Sequence, residues 1–431
     1  MRVDLKRTFW FLPVLALVIL AVAAGAQAPP RRIDVLQVKG PIVPVVADYI
    51  LRGLEGSQKG TQAVVLELDT PGGLVNVTQR IIQAFLASPV PVIVYVSPAG
   101  AWAGSAGAFI TQAGHIAAMA PGTIIGAAHP VTVGGQLPSA QEEKVVNALA
   151  STIRSIAEER HRNVQAAEDM VRKSLAKGDQ EALELGIIDY RAESLPELLE
   201  RLDGREVTVS GGRKVTLRTQ GAPLRRIPMT TVESFLHTIS EPNIAYILLA
   251  LAMLAIAVEL SNPGAIFPGV IGGIALFLAL YSLGILGANW AGVLLIALAF
   301  AMLVAEVFVT SHGVLAVGGI AALIMGSFLL FSGTVFAINR WLVAGMAAGL
   351  LAFFVFALTS VLQTHRRPQQ TGREAMVGMV AAVRTPLKPR GTVVVHGELW
   401  EAVSQEGAVE EGEEVVVQRL EGLRLFVARK K

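Results

Sequence analysis

The sequence predicts three kinds of structure in series: an α/β domain with parallel strands, an all-α membrane region and a small all-β barrel. In the first part, continuous runs of Val, Ile and Leu alternate with amphipathic segments of about ten residues, a pattern typical of parallel strands covered by helices on both faces. Five later apolar runs are each near the roughly 20 residues that cross a bilayer. Short alternating strands broken by Pro and Gly fill residues 376–431.

The composition agrees with a chain that lies partly in lipid. Of the 431 residues, 53% are hydrophobic and 16% are charged, and the mean hydropathy is +0.55, outside the ordinary soluble range. The net charge of +2 gives no argument for nucleic-acid binding. Cysteine is absent, which excludes disulfides and thiolate chemistry and leaves serine as the natural nucleophile. No Walker motif or paired-histidine motif occurs, so we expect neither a cofactor nor a metal.

The first residues have the form of an export signal. Arg2, Lys6 and Arg7 precede the apolar run Phe9–Ala24, and the small residues A-G-A-Q-A follow before Pro29. We therefore predict a signal peptide over residues 1–28, with an uncleaved signal anchor as the alternative. In both cases the next domain, residues 29–221, is expected outside the cytoplasm.

The elements of this domain follow from their periodicity. Apolar runs predict the strands, and helical spacing predicts the helices. Two glycines, Gly211 and Gly212, join the last two short strands as a hairpin, and the domain is expected to end near Gly221. The expected strands are Ile33–Val38, Ala63–Leu68, Val90–Val96, Ile116–Met119 and Ile124–Ala128; the expected helices are Val43–Leu54, Val75–Leu86, Ser105–Ala113, Ala140–Arg160, Ala166–Leu175 and Gln180–Leu185.

The membrane region is predicted over residues 243–362, with about five spans. Glu259 followed by Gly272-Gly273-Ile274-Ala275 resembles Glu306 followed by Gly318-Gly319-Ile320-Ala321, which indicates a duplicated hairpin. We expect the two glutamates to face the interior of the bundle, or alternatively to lie at span ends. The five expected spans are Ile244–Leu260, Ile266–Gly287, Ala291–Val309, Gly313–Phe331 and Trp341–Leu362.

The C-terminal segment, residues 375–431, is predicted to be a five-stranded barrel of the OB type. Five spans place it in the cytoplasm, and Arg366 and Arg367 directly after the last span agree with the positive-inside rule. Its acidic and basic residues nearly cancel, and Trp400 and Phe426 are its aromatic residues. It therefore lacks the basic, aromatic-rich groove of a nucleic-acid binder, and we interpret it as a protein-interaction module.

The stretch Val94–Gly107, which reads V-Y-V-S-P-A-G-A-W-A-G-S-A-G, carries the candidate nucleophile. A strand enters a loop of small residues, and Ser105 stands where a helix begins. Backbone N–H groups and the positive end of the helix dipole converge there, which favours a nucleophile whose product is an oxyanion. The alternative is that Ser105 only caps the helix.

A serine nucleophile needs a base and an oxyanion site. Lys144, in the first turns of a long helix after a Gly/Pro loop, is one candidate, although a solvated Lys on such a helix is the simpler interpretation. His129 is the rival base. The N–H groups of Gly73 and Ala106 are the candidate oxyanion donors, and Asp69 is expected to cap the D-T-P-G-G turn.

Four motifs together resemble the long form of the NfeD family: L-D-T-P-G-G-L (Leu68–Leu74), V-S-P-A-G-A-W-A-G-S-A-G (Val96–Gly107), A-M-A-P-G-T-I-I-G-A-A-H-P-V (Ala118–Val131) and E-A-L-E-L-G-I-I-D (Glu181–Asp189). The resemblance covers nearly the whole chain and implies a membrane-anchored serine protease of the ClpP/crotonase fold, a spiral of ββα units. It implies a Ser–Lys dyad of Ser105 and Lys144, a homodimer or higher oligomer, and a stomatin- or prohibitin-type substrate cut in a hydrophobic segment.

Two other functions stay open at this point. A crotonase-type acyl-CoA enzyme shares the fold, but an export signal and membrane spans argue against a soluble CoA role. A non-catalytic membrane scaffold would bind partners through the ClpP-like and OB domains. Either way, the chain is expected in the cell membrane.

Overall fold

The computed structural model describes residues 32–57, 60–130, 139–261, 264, 266–309, 311–366 and 376–430. The chain divides into two compact units, residues 1–349 and 350–431. The predicted signal peptide and the predicted loop Val131–Pro138 lie outside the described residues.

The first unit is built on a six-stranded parallel sheet in the order β11-β1-β2-β3-β5-β8. Its central strands are buried along almost their whole length, as the continuous apolar runs predict. The strands are β1 (Arg32–Lys39), β2 (Thr61–Asp69), β3 (Val92–Val96), β5 (Ile116–Met119), β8 (Tyr190–Arg191) and β11 (Leu224–Arg226). Outside this sheet, β9 (Glu206–Val209) and β10 (Arg213–Thr216) form the predicted hairpin.

Helices cover the sheet, and most lie within a few residues of their predicted bounds. Helix α2 matches its prediction at both ends, because its apolar positions recur at helical spacing and bury Val77, Ile81 and Phe85. The helices are α1 (Pro44–Gly56), α2 (Val75–Leu86), α3 (Ala106–Ala113), α4 (Ser139–Glu159), α5 (Val164–Arg172), α6 (Asp179–Glu184) and α7 (Leu195–Arg201).

A second layer of short strands gives the fold its repeat. Strands β4 (Trp102–Gly104), β6 (Ile124–Gly126) and β7 (Ala176–Gly178) form a small sheet, and the isolated bridges Ile42–Gly73 and Thr70–Ala103 continue it. Each unit is therefore a long strand, a short second-layer segment and a helix. This confirms the ββα spiral of the ClpP/crotonase fold.

The sequence did not predict strands β4, β7 and β11. Strand β4 falls in the small-residue stretch expected to be a loop, and β11 lies beyond Gly221, so the sheet extends past the expected end of the domain. Asp34 of β1 holds β11 in place, because its fully buried carboxylate accepts bonds of 2.7 and 2.6 Å from the Arg225 guanidinium. Burial acts to raise the pKa of Asp34, but hydrogen bonds from Arg225, Ser57 and Thr61 outweigh it and hold that pKa below its usual value.

After β11 comes helix α8 (Thr231–Ile239), followed by apolar helices over each of the five predicted spans. The first two, by length and composition, are long and apolar enough to cross a membrane, and the other apolar stretches are shorter. The apolar helices are α9 (Pro242–Ser261), α10 (Ile266–Leu286), α11 (Trp290–Phe308), α12 (Val314–Leu330) and α13 (Arg340–Arg366).

Glu259 and Glu306 do not face the interior of the bundle. Each lies near the end of the first helix of a hairpin and binds the start of the second helix. Glu259 accepts the Gly269 N–H at 3.3 Å, whereas Glu306 accepts the N–H groups of Gly313 at 2.9 Å and Ala316 at 3.1 Å. The carboxylates satisfy backbone donors that a helix start leaves unpaired, and the same arrangement in both hairpins supports the duplication.

The second unit contains a closed five-stranded barrel in the order β12-β13-β14-β16-β15, as predicted. Its alternating inward side chains, among them Val393, Val415 and Leu425, are fully buried. The strands are β12 (Val380–Thr385), β13 (Arg390–Val395), β14 (Glu398–Ser404), β15 (Glu414–Glu421) and β16 (Arg424–Arg429).

Candidate active site

Ser105 occupies a strained backbone position at the start of α3. Its φ of 47° and ψ of −110° lie outside the regions that ordinary residues prefer. The Ser105 N–H donates to the Gly126 carbonyl at 3.0 Å, and its carbonyl accepts from Ala108 at 3.0 Å, so β6 and α3 together hold the conformation. Strain that is held in place by its surroundings is typical of a functional residue. The side chain does not cap the helix, so the capping alternative is not supported.

Two glycines let the backbone after β2 approach Ser105. Gly72 has a φ of +137°, and an ideal Cβ there would lie 2.7 Å from the Ser105 Cβ. An ideal Cβ on Gly73 would lie 2.3 Å from the carbonyl oxygen of Ile42. Neither position has room for a side chain, so the glycines are required for the close approach.

The backbone N–H groups of Gly73 and Ala106 have no acceptor in the described part of the chain. The bridge to Ile42 uses the Gly72 carbonyl and the Leu74 N–H, which directs the Gly73 N–H to the opposite side. Ala106 is the first residue of α3, where an N–H has no partner within the helix. Two free donors therefore lie beside the Ser105 hydroxyl.

The turn that presents Gly73 is closed by a different residue from the one expected. The Thr70 hydroxyl, fully buried, accepts the Gly72 N–H at 3.0 Å. Asp69 instead accepts the Trp102 N–H at 3.1 Å, which ties the turn to β4. The threonine in D-T-P-G-G is the signal that could have indicated this, because Thr hydroxyls bind backbone groups two residues away.

Ser105 opens into an apolar cavity of about 150 Å³. A cavity on this scale holds a benzene-sized group. Gly73 and Ala106 line it beside Ser105, so the structure brings together the predicted nucleophile and both predicted oxyanion donors. The other lining residues are Leu74, Val75, Thr78, Gln79, Ile82, Phe109, Ala128, Pro130, Leu149, Thr152, Leu286, Thr334, Val335 and Phe336.

The two candidate bases lie near this cavity but not among its described lining residues. Lys144 is exposed on the second turn of α4. It stands five residues before Leu149, which is about 7.5 Å along the helix axis.

His129 follows the lining residue Ala128, but its ring is directed elsewhere. Its Nδ1–H donates to the Val171 carbonyl at 2.9 Å, and its Nε2 lies 3.5 Å from Glu142 Oε1. The acids that a triad would need are engaged by other groups: Asp169 pairs with Lys173, and Asp189 pairs with Arg162. The geometry does not orient His129 toward Ser105.

His115 has a structural position, away from Ser105. Its Nδ1 accepts the Val92 N–H at 3.2 Å, so it joins β3 to the start of β5. Burial lowers its pKa to about 3, and the nearby Arg160 and Arg162 add to that effect. It is therefore neutral in the folded domain at neutral pH.

Three family models match the chain in order. They are the NfeD1b N-terminal domain over residues 32–210, the NfeD integral membrane domain over residues 243–360, and the NfeD-like C-terminal, partner-binding domain over residues 373–429.

Whole-chain relatives agree with these matches. The chain is 35% identical to the membrane-bound protease PH1510 of Pyrococcus horikoshii, over 97% of this chain and 98% of that protein. It is 29% identical to the membrane protein NfeD1b of Bacillus subtilis, over 96% and 97% of the two chains. One similar solved structure is a lysine-to-alanine mutant of the 1510-N membrane-bound stomatin-specific protease in complex with a substrate peptide. It is 34% identical, with a TM-score of 0.46, and the match covers 49% of this chain and 99% of that chain.

The ββα spiral, the strained serine and the apolar helices, taken with these relatives, define a membrane-bound protease. The chain belongs to the NfeD family, in its long form, as the sequence motifs indicated.

Proposed function

We propose that the chain is a serine endopeptidase that uses a Ser105–Lys144 dyad to cut hydrophobic segments of membrane-associated proteins. The observation that carries the proposal is the pair of free N–H groups, on Gly73 and Ala106, beside the strained Ser105 at the mouth of an apolar cavity. Donors fixed in this way stabilise the negative charge that develops on a carbonyl oxygen during acyl transfer.

The chemistry then follows in two halves. The Ser105 Oγ attacks the peptide carbonyl carbon while neutral Lys144 takes the hydroxyl proton, and the Gly73 and Ala106 N–H groups bind the oxyanion. Lys144 gives the proton to the leaving amine as the C–N bond breaks, which leaves an ester on Ser105. Water attacks the ester, Lys144 takes the proton of that water, and the acid product leaves as Ser105 regains its hydrogen.

Lys144 is assigned as base on the family resemblance, and its place on α4 supports the assignment. Leu149 and Thr152 of the same helix line the cavity, so the helix is already part of the site. A Lys works as a base only where desolvation or a neighbouring charge favours its neutral form. We propose that a bound apolar substrate provides this desolvation.

The family resemblance makes a stomatin- or prohibitin-type protein the first substrate to test, in the setting of membrane protein quality control. We place the catalytic domain outside the cytoplasm and the barrel inside it, and we expect a homodimer or higher oligomer. The barrel matches a partner-binding family model, so it is the proposed recruitment module.

A fluorophosphonate probe tests the nucleophile in the full chain in detergent. Labelling and cleavage of an apolar peptide should both be lost in Ser105→Ala and kept in Ser155→Ala, an exposed serine of α4 outside this cavity. The alternative function, a non-catalytic membrane scaffold, requires that wild-type protein be neither labelled nor active. Cleavage by Ser105→Ala at the wild-type rate would refute the proposed nucleophile.

A further inference from the structure

Part of the wall of the Ser105 cavity comes from the membrane region. Leu286 at the end of α10, and Thr334, Val335 and Phe336 after α12, line the same cavity as Ser105. Leu286 and Phe336 are almost fully buried, at 1% and 6% exposure. Leu286 is the last residue of α10, and the other three residues follow α12, so each hairpin contributes the end of its second helix to the cavity wall.

Val335 lies close to Ser105 in the cavity wall. An ideal Cβ built on Gly72 would be 3.5 Å from the Val335 Cγ2 and 3.3 Å from the Ser105 Oγ. The valine methyl and the nucleophile therefore flank the same point in space. Val335 therefore belongs to the part of the cavity wall next to Ser105.

The turn that carries Val335 is held by its own hydrogen bonds. The Thr334 hydroxyl donates to the Phe331 carbonyl at 2.9 Å and accepts the Phe336 N–H at 3.1 Å. The Asn339 N–H donates to the Asn243 side chain of α9 at 2.8 Å. A turn with its polar groups satisfied in this way presents Val335 at a fixed position.

Helix α8 joins the catalytic domain to the membrane region. Arg52 of α1 binds the Glu233 carboxylate through two bonds of 2.9 and 2.7 Å, and the His237 Nε2–H donates to the Lys39 carbonyl at 2.8 Å. On the membrane side, the buried Ser282 hydroxyl of α10 donates to the Ile239 carbonyl. The catalytic domain and the hairpins therefore share a hydrogen-bonded support.

We infer that the membrane region sets the specificity of the proposed protease, with Val335 limiting the size of the apolar side chain accepted beside the scissile bond. The inference rests on the proposed function. The cavity has room for one such side chain, and a hydrophobic pocket distinguishes substrates that differ by single methylene groups. Because Leu286 ends α10 and Val335 follows α12, the scissile bond is held at one end of the membrane region.

The test uses the full chain in detergent and peptides in which the residue on each side of the scissile bond is Val, Leu or Phe. Val335→Ala enlarges the cavity and should raise the ratio of kcat/KM for the Phe peptide to that for the Val peptide about tenfold. Val335→Leu fills the cavity and should shift the same ratio in the opposite direction. Val232→Ala is the matched control, because it removes the same atoms from a valine that is 67% exposed on α8.

The outcomes separate this inference from the proposed function. Ser105-dependent cleavage whose peptide ratio is the same in both Val335 variants and the control would overturn the inference and leave the protease assignment intact. A uniform loss of rate with an unchanged ratio would also overturn it, since Val335 would then have a packing role. Cleavage that survives Ser105→Ala would instead refute the proposed function. Fluorophosphonate labelling of the two Val335 variants and of Val232→Ala shows that their active sites are folded.

Discussion

Gly72 offers a sharp test of how closely the backbone must approach the nucleophile. Gly72→Ala introduces a methyl group 2.7 Å from the Ser105 Cβ, far inside van der Waals contact, at a φ of +137° that alanine rarely adopts. The backbone strain should cost about 1–3 kcal/mol of stability. Relief of the contact has to move Ser105 or the turn that carries Gly73, and a displacement of about 1 Å at a reacting group lowers the rate about a hundredfold.

The assay compares peptide cleavage and thermal stability of the full chain in detergent. At a temperature where the variant is still folded, Gly72→Ala should lose about a hundredfold in kcat/KM. Unfolding cannot account for a loss measured under that condition. Gly204→Ala is the matched control, because Gly204 also has a positive φ, +78°, but an added Cβ there meets nothing within 4 Å. Its stability should fall by about 1–2 kcal/mol with activity unchanged. Full activity in Gly72→Ala would refute the close-approach reasoning.

Three further predictions concern the base, a buried histidine and the hairpin caps. Lys144→Ala should remove peptide cleavage, whereas His129→Ala should keep most of it. The wild-type rate should keep rising at alkaline pH instead of reaching a plateau above about pH 7. An inactive His129→Ala together with an active Lys144→Ala would assign the base to His129. The pKa of His115 is lowered from 6.5 to about 3 in the folded domain. As the pH falls below about 6.5, His115 therefore takes up a proton in the unfolded chain but not in the folded one. The free energy of unfolding should decrease by up to about 1.4 kcal/mol per pH unit between about pH 6.5 and 3. Thermal midpoints between pH 4 and 7 should show a weaker decline in His115→Gln, and an identical decline would contradict the assignment. Glu306→Gln replaces a carboxylate that accepts two backbone N–H groups at 2.9 and 3.1 Å, and it should lower the free energy of unfolding by about 1–2 kcal/mol. Glu259→Gln removes a single bond of 3.3 Å and should lower it by less. Equal losses of stability for the two variants, measured by unfolding in detergent, would argue against capping.

The sequence by itself determined the order of the elements and the family. Buried parallel strands, amphipathic helices and alternating barrel strands each have a local period, and that period is present in the residues of one segment. The stretch around Ser105 and the D-T-P-G-G turn likewise carry local signals, because glycine and small residues mark places where backbone must pass close to other backbone. The catalytic roles of Ser105, Lys144, Gly73 and Ala106 stay predictions.

The tertiary structure decided what depends on residues far apart in the chain. Strand β11 joins the sheet because Arg225 meets the buried Asp34, nearly two hundred positions earlier. Two adjacent arginines between prolines give no local signal of that pairing. The sequence left two positions open for Glu259 and Glu306, the bundle interior and the span ends. The hairpins decided between them by bringing each glutamate to the start of the next helix. Val335 and Leu286, which line the cavity beside Ser105, also lie far from it in the chain. No local sequence pattern predicts a cavity between distant segments, because only folding brings its walls together.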